Sequence, residues 1–288
     1  MGKAKRRKGE KRAVLTEQTK GISSHFKSSY LFIIFTIFVA FLLSFATYKR
    51  NAVWKDNLTL WKDGVKKNQS KARIHNNLGN AYYNQGLLNE AIEEYMTALK
   101  VNPLNADAHY NLGNIYNNNQ GLQDKAIQEY VIAIRLRENY PQAHNNLGTI
   151  YVKQRQFNEA IKEFNAAIKL KPDYPEAHNN LGNVYSEQGR FDEAISEYLM
   201  ALRFNSNYAD AHYNLGIVYS KQGRIDEAAQ EFLIAVGINP SDAYARYELG
   251  NAYKLKGLKD KAQKEFEIAL KLQPDFAPAQ EALKSIDK

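Results

Sequence analysis

Between residues 72 and 276 apolar and small residues recur at intervals of three and four, pause at a polar turn, and resume, and the pattern returns about every 34 residues. Counting each copy from 1, position 8 is Gly79, Gly113, Gly148, Gly182, Gly216 and Gly250, and position 11 is Tyr in all six copies. Beyond a turn, position 20 is always Ala, position 24 is Tyr95, Tyr130, Phe164, Tyr198, Phe232 and Phe266, and position 27 is always Ala. Positions 4, 7, 8 and 11 share one face of a helix, and 20, 24 and 27 share one face of a second, because residues three and four apart align at 3.6 residues per turn. Each copy is therefore a helical hairpin. Its Gly and Ala allow close backbone approach while Leu, Tyr and Phe fill the remaining space.

These residues resemble the tetratricopeptide repeat. The resemblance implies an all-α fold, a right-handed superhelical solenoid of six tandem hairpins at 72–105, 106–140, 141–174, 175–208, 209–242 and 243–276. Residues 277–288 read as a polar capping helix, with Leu283 at position 7. The second helices are expected to open near short polar residues, Asn89, Asp124, Asn158, Asp192, Asp226 and Asp260, suited to unpaired amides and the positive dipole end. The second unit carries one extra residue in its turn, around Asn117–Gly121, which predicts a local irregularity. In the third unit Arg155 stands where other units have a turn glycine, which predicts a left-handed backbone carrying a side chain.

The pattern before the repeats is different. Tyr30 to Tyr48 are uncharged throughout, long enough as a helix to match a bilayer core, and are read as one transmembrane helix within 28–50. Ser44–Phe45–Ala46 also offers a signal-type cleavage pattern, but the long preceding arm favours a retained anchor. That arm, 1–27, holds nine Lys or Arg against two Glu and reads as a disordered cytoplasmic segment. The net charge of +8 divides sharply: 16 basic against 4 acidic residues up to Lys71 give +12, which leaves −4 for the rest. No nucleic-acid partner is expected for a repeat region of that sign. Basic residues flank the span on both sides, so charge counting alone does not orient it.

Residues 51–71 read as an orphan second helix capping the solenoid, with Trp61 at position 24 and Gly64 at position 27. The junction from Tyr48 to Tyr82 also resembles membrane proteins in which a multi-span, mannosyltransferase-like part runs into tetratricopeptide repeats. That resemblance implies repeats on the non-cytoplasmic side. It does not carry activity over, because one span here replaces the many.

Candidate binding chemistry lies on the first-helix faces that the repeat resemblance assigns to a concave groove. Position 6 is Asn77, Asn111, Asn146, Asn180 and Asn214, broken by Glu248 in the last unit, and position 9 adds Asn80, Asn114, Asn183 and Asn251. Asn is a mediocre helix former, whereas its carboxamide pairs with both halves of a peptide unit. The row is similar to the asparagine ladder of the O-linked N-acetylglucosamine transferase repeats, which implies a protein or peptide ligand held by its backbone. The alternative is a polar face whose amides bridge neighbouring helices. Tyr110, Tyr213 and Tyr247 would pack ligand side chains at low entropic cost.

Position 4 is His75, His109, His144, His178 and His212, then Arg246. Equivalent helices lie too far apart for these to share a metal with bonds of about 2 Å, so they are read as packed on the first helix and no metal is assigned. The chain has no cysteine, hence no disulfide, and it lacks phosphate-loop, HExxH and GxSxG motifs. Its remaining acidic residues are read as spread over exposed faces. The expectation is a non-enzymatic, cofactor-free, single-pass membrane scaffold holding an extended protein segment. The second reading is an accessory subunit of a membrane glycosyltransferase or cell-envelope assembly.

Overall fold

The computed structural model describes residues 32–49, 55–119 and 121–286. The chain forms two compact units, Met1–Ser70 and Lys71–Lys288, treated separately below. The basic arm at 1–27, Tyr30 and Trp54 lie outside the described residues.

In the first unit, α1 (Phe32–Lys49) has a mean hydropathy of 2.0 and none of it is buried by protein. At 1.5 Å per residue it spans about 27 Å, close to a bilayer's hydrocarbon thickness of about 30 Å. Thr36 and Thr47 return their hydroxyls to backbone carbonyls of their own helix, at 2.8 and 2.7 Å, which removes their polarity from the surface. α2 (Asn57–Lys67) opens with a reciprocal cap. The Thr59 amide donates to the Asp56 carboxylate at 2.7 Å, and the Asp56 amide donates to the Thr59 hydroxyl at 3.3 Å.

The second unit is six helical hairpins and a final short helix. They are α3 (Ala72–Tyr83) with α4 (Leu88–Val101), α5 (Ala106–Asn118) with α6 (Gln123–Leu136), and α7 (Pro141–Lys153) with α8 (Phe157–Leu170). Then follow α9 (Pro175–Glu187) with α10 (Phe191–Phe204), α11 (Ala209–Lys221) with α12 (Ile225–Ile238), α13 (Ala243–Leu255) with α14 (Lys259–Leu272), and α15 (Ala277–Lys284). Each helix packs on its sequence neighbours, and each hairpin's first helix also meets the first helix of the next hairpin. The first helices therefore line one continuous surface.

Glycine at position 8 is where the two helices of a hairpin come closest. A Cβ on Gly182 would stand 2.7 Å from the Tyr198 ring, and one on Gly216 would stand 2.7 Å from Phe232. The rings at position 24 and the alanines at 20 and 27 are almost wholly removed from solvent. Filling that space leaves no room for a side chain at position 8.

Five hairpin turns share one construction. The residue just before the second helix donates its amide to the carbonyl of the position-11 tyrosine, as Arg190 does to Tyr185 at 2.9 Å and Leu258 to Tyr253 at 2.9 Å. The bond closes over a residue in the left-handed region, glycine in most units and Arg155, with φ of 57°, in the third. In the second unit the extra residue breaks this bond. There the Leu122 amide turns to the Asn119 carbonyl at 3.2 Å.

The expected caps of the second helices are corrected by the structure. The cap positions are held by Leu87, Leu122, Gln156, Arg190, Arg224 and Leu258, none with a side-chain cap bond. Asn89, Asp124, Asn158, Asp192, Asp226 and Asp260 lie two residues past the cap, as the second helical residue. The acids among them act on the helix dipole rather than by capping.

Candidate functional site

The groove face begins from the position-24 ring. In units 1, 2 and 4 that ring is a tyrosine buried to its edge, and its hydroxyl needs an acceptor. Position 9 supplies one. Tyr95 donates to Asn80 Oδ1, Tyr130 to Asn114 Oδ1 and Tyr198 to Asn183 Oδ1, each at 2.7 Å. Where position 24 is Phe164 or Phe232, position 9 is Thr149 or Ile217, and no acceptor is required. Burial drives the tyrosine pKa values well above the ordinary phenol value, so these hydroxyls remain donors.

The position-6 amides reach back across the seam to the preceding unit. Asn111 Nδ2 donates to Asn76 Oδ1 at 3.1 Å and to Asn80 Oδ1 at 2.9 Å. Asn146 Nδ2 donates to Asn114 Oδ1 at 2.9 Å and to the Tyr110 hydroxyl at 3.2 Å. Asn180 Nδ2 reaches Asn145 Oδ1, and Asn214 Nδ2 reaches Asn179 Oδ1, both at 3.0 Å. Asn77 makes no side-chain hydrogen bond among the described residues. Of the two sequence readings of this row, the bridging of neighbouring helices is present in the structure.

Bridging leaves most of these amides with one end unspent. Asn111, Asn180 and Asn214 donate Nδ2 and keep Oδ1, whereas Asn146 Oδ1 also accepts from Asn145 Nδ2 at 3.3 Å. Asn80, Asn114 and Asn183 accept on Oδ1 and keep Nδ2, while Asn251 donates Nδ2 to Glu248. Two pockets on the first-helix surface are lined by these residues. One, of about 280 Å³, is lined by Asn80, Asn111, Asn114, Asn84, Tyr83 and Tyr95. The other, of about 430 Å³, has Asn179, Asn180, Asn183 and Asn214 in its wall. Its remaining lining is Tyr208, Tyr213, Tyr244, Asp210 and Asp242.

The three tyrosines at position 5 are half-buried and take part in packing. Tyr110 lies tilted against Tyr140 with centroids 4.9 Å apart, Tyr213 tilted against Phe232 at 5.9 Å, and Tyr247 meets Phe276 edge-on at 5.3 Å. Tyr213 and Tyr208 line the second pocket, and burial, aided by nearby carboxylates, pushes each pKa up to about 12. Glu248 replaces asparagine in the last unit. Burial raises its carboxyl above the usual range, and the Asn251 amide at 3.3 Å only partly offsets that. As a carboxyl group in place of an amide, and near enough to Tyr213 to raise its pKa, Glu248 ends the row of amide donors.

The histidines are paired within their hairpins, a relation that sequence reading missed. Nδ1 of His75, His109, His144, His178 and His212 lies 2.6 Å from Glu94, Glu129, Glu163, Glu197 and Glu231 respectively. Arg246 and Glu265 repeat the pair at 2.8 Å. These six glutamates all occupy position 23, so the expectation of acids spread over exposed faces fails for them. Their regular occurrence opposite a position-4 cation was the available signal.

Nε2 of His109, His178 and His212 meets the carbonyl of Pro103, Pro172 or Ser206 at 3.0 to 3.2 Å. Held between a carboxylate and a carbonyl, the rings of His178 and His212 satisfy both only as double donors, the imidazolium. For His178 and His212 burial opposes the charge, but the glutamate and carbonyl overcome it and raise the pKa. No group of His, Asp or Glu that could hold a metal occurs among the described residues.

Comparison with known proteins follows from this geometry. The family model of the cilia and flagella-associated protein 70 C-terminal domain matches residues 46–283. Protein O-mannosyl-transferase TMTC1 of Homo sapiens is 37% identical over 83 residues, 29% of this chain and 9% of that protein. Drosophila melanogaster Tmtc3 is 35% identical over 72 residues, 25% of this chain and 8% of that protein. The chain thus covers under a tenth of the length of these relatives.

Among solved structures, that of the APC/C hetero-tetramer Cut9-Hcn1 superposes with a TM-score of 0.70 at 21% identity, over 82% of this chain and 47% of that one. YrrB, described as a TPR protein with an unusual peptide-binding site, matches with a TM-score of 0.54 at 25% identity, over 67% of this chain and 99% of that one. The fold is that of a tetratricopeptide solenoid.

Proposed function

Because this chain belongs to the family of the cilia and flagella-associated protein 70 C-terminal domain, we propose that its solenoid is a membrane-anchored scaffold holding an extended protein segment. α1 would be the anchor, with the repeats on the non-cytoplasmic side. The observation that carries the reading is the division of labour in the amide row. One end is fixed in each, by the preceding unit for Asn111, Asn180 and Asn214 and by the unit's own position-24 tyrosine for Asn80, Asn114 and Asn183. These six residues, with Oδ1 of the first three and Nδ2 of the second three unspent, line pockets of about 280 and 430 Å³. An extended backbone presents an N–H and a C=O at every residue, and the fixed amides meet both without reorganisation. The peptide-binding site attributed to YrrB supports the same use of this fold.

The test removes a groove amide without disturbing the stack. Asn183→Ile with Tyr198→Phe copies the pair Ile217 and Phe232 already present in the next unit. Clients co-purified with the chain in detergent or nanodiscs are expected to weaken or disappear, while the thermal midpoint is retained. Unchanged clients would overturn the groove reading.

A second reading is favoured by similarity to O-mannosyl-transferases: an accessory subunit of a membrane glycosyltransferase or cell-envelope assembly. It predicts an integral membrane enzyme in the co-purified material whether or not Asn183 is replaced. Protease added outside sealed cells should cut the repeats under the proposed topology. Protection until the cytoplasmic side is opened would refute it.

A further inference from the structure

The second hairpin contains an internal guanidinium site. Arg137, the residue closing α6, donates Nη1 and Nη2 to Asp107 Oδ1 and Oδ2 at 2.8 and 2.9 Å. Its guanidinium carbon lies 4.6 Å from the centroid of the Tyr140 ring, and the Tyr140 hydroxyl donates to Asp107 at 3.1 Å. An acid at position 2, a ring or acid at the end of the unit, and a cation closing the second helix make up the set.

Units 4 and 5 keep the acid and lose the cation. Position 2 is Glu176 and Asp210, and the unit ends are Tyr208 and Asp242. The residues closing the second helices are Asn205 and Asn239, whose side-chain oxygens are occupied by the amides of Asn207 and Ser241 at 3.2 and 3.3 Å. Asp210 is exposed and has no ion pair or hydrogen-bond partner among the described residues. Asp242 accepts two amides on one oxygen, from Tyr244 at 2.9 Å and Ala245 at 3.1 Å, and keeps the other. Tyr208, Asp210, Tyr213, Asp242 and Tyr244 line the single pocket of about 430 Å³.

Resting on the scaffold reading, we propose that this pocket takes an arginine or lysine side chain of the bound segment, in the role that Arg137 plays in the second hairpin. The carboxylates supply charge and the tyrosine faces supply cation–π contact. The amide row beside it, Asn180, Asn183 and Asn214, holds the segment's backbone. The other pocket, lined by Asn, Tyr and no carboxylate, lacks this preference. The partner is therefore an extended segment with a basic residue at one fixed place.

A random peptide library displayed on phage and selected on the full chain in nanodiscs tests this. The expected result is enrichment of Arg or Lys at one position. Replacing that residue by citrulline or glutamine should weaken binding about tenfold, the size of one partly desolvated cation contact. Two variants should abolish the preference: Asp210→Asn, which removes the charge, and Asn239→Arg, which fills the site from within as Arg137 does. Asn239→Arg is expected to raise the thermal midpoint slightly and so to report that the fold is intact. Peptides selected without a basic position, or with one that both variants leave unchanged, would overturn the proposal while the groove reading stands. Failure to select any peptide would overturn both.

Discussion

Replacing Asn183 by Ile alone should destabilise the fourth hairpin more than replacing Asn183 and Tyr198 together. Tyr198 is 1% exposed and its hydroxyl donates to Asn183 at 2.7 Å. Removing the acceptor strands a buried hydroxyl, which costs about 1 to 3 kcal/mol. Ser186 lies near enough to interact with the same hydroxyl, so a value in the lower half of that range is expected.

Tyr198→Phe alone frees a half-exposed amide that turns to water, at about 0.5 to 1.5 kcal/mol. The double variant, with neither partner left, should lie within about 0.5 kcal/mol of the parent, giving a coupling of about 1 to 2 kcal/mol. A stacked array need not unfold as one step, so the appropriate assay is native-state hydrogen exchange of α9 and α10 amides. If Asn183→Ile proves as stable as the double variant, the hydrogen bond does not determine which residues can pair at positions 9 and 24.

The pH response has a defined sign. His178 and His212 have pKa values raised above 6.5, so their pairing contributes fully below 6.5 and is lost as pH rises through the higher folded value. Thermal midpoints should therefore fall on going from mildly acidic to mildly alkaline pH, and His178→Arg with His212→Arg, copying Arg246, should flatten that fall. Gly216→Ala drives a Cβ into Phe232 and should cost about 1 to 3 kcal/mol in exchange protection of α11 and α12, despite alanine's better helix propensity. Arg155→Gly relieves a side chain at φ of 57° and should stabilise the third hairpin by about 0.5 to 1 kcal/mol, measured by the same exchange. A destabilised glycine variant would show that the Arg155 side chain contributes more than its backbone costs.

Much of the solenoid was legible because each core position repeats its chemistry. Leu at 7, Gly at 8, Tyr at 11 and Ala at 20 and 27 require one packing, and six copies remove the ambiguity that a single copy would leave. The groove was legible as a row of amides, but the use of each amide was not. That depends on which atoms face the seam, a matter of side-chain rotation across two units.

Two other relations were written in the chain and passed over. Tyr at 24 accompanies Asn at 9 in units 1, 2 and 4, and Phe accompanies Thr149 and Ile217 in units 3 and 5; the sixth unit departs from this, with Phe266 beside Asn251, whose amide turns to Glu248 instead. Glu at 23 accompanies His or Arg at 4 throughout. Both become visible when copies are compared position against position rather than one position at a time. The starts of the second helices were legible to within a residue, but their caps were not. In five units the turn bond to the position-11 tyrosine sets Leu, Gln or Arg at the cap and carries the short polar residue into the first turn.

The back-reaching amides give the array a grammar of succession. Every unit from the second to the fifth presents a donor to the unit before it, whereas the sixth presents Glu248, which accepts only. A copy of unit 3 or 4 inserted between units 1 and 5 meets a compatible seam on both sides, and one deleted leaves the amide row unbroken. A second copy of unit 6 would set a carboxylate where a donor belongs. Gene duplication can thus lengthen or shorten the array ahead of its fifth unit, while the fifth and sixth units keep a junction of their own.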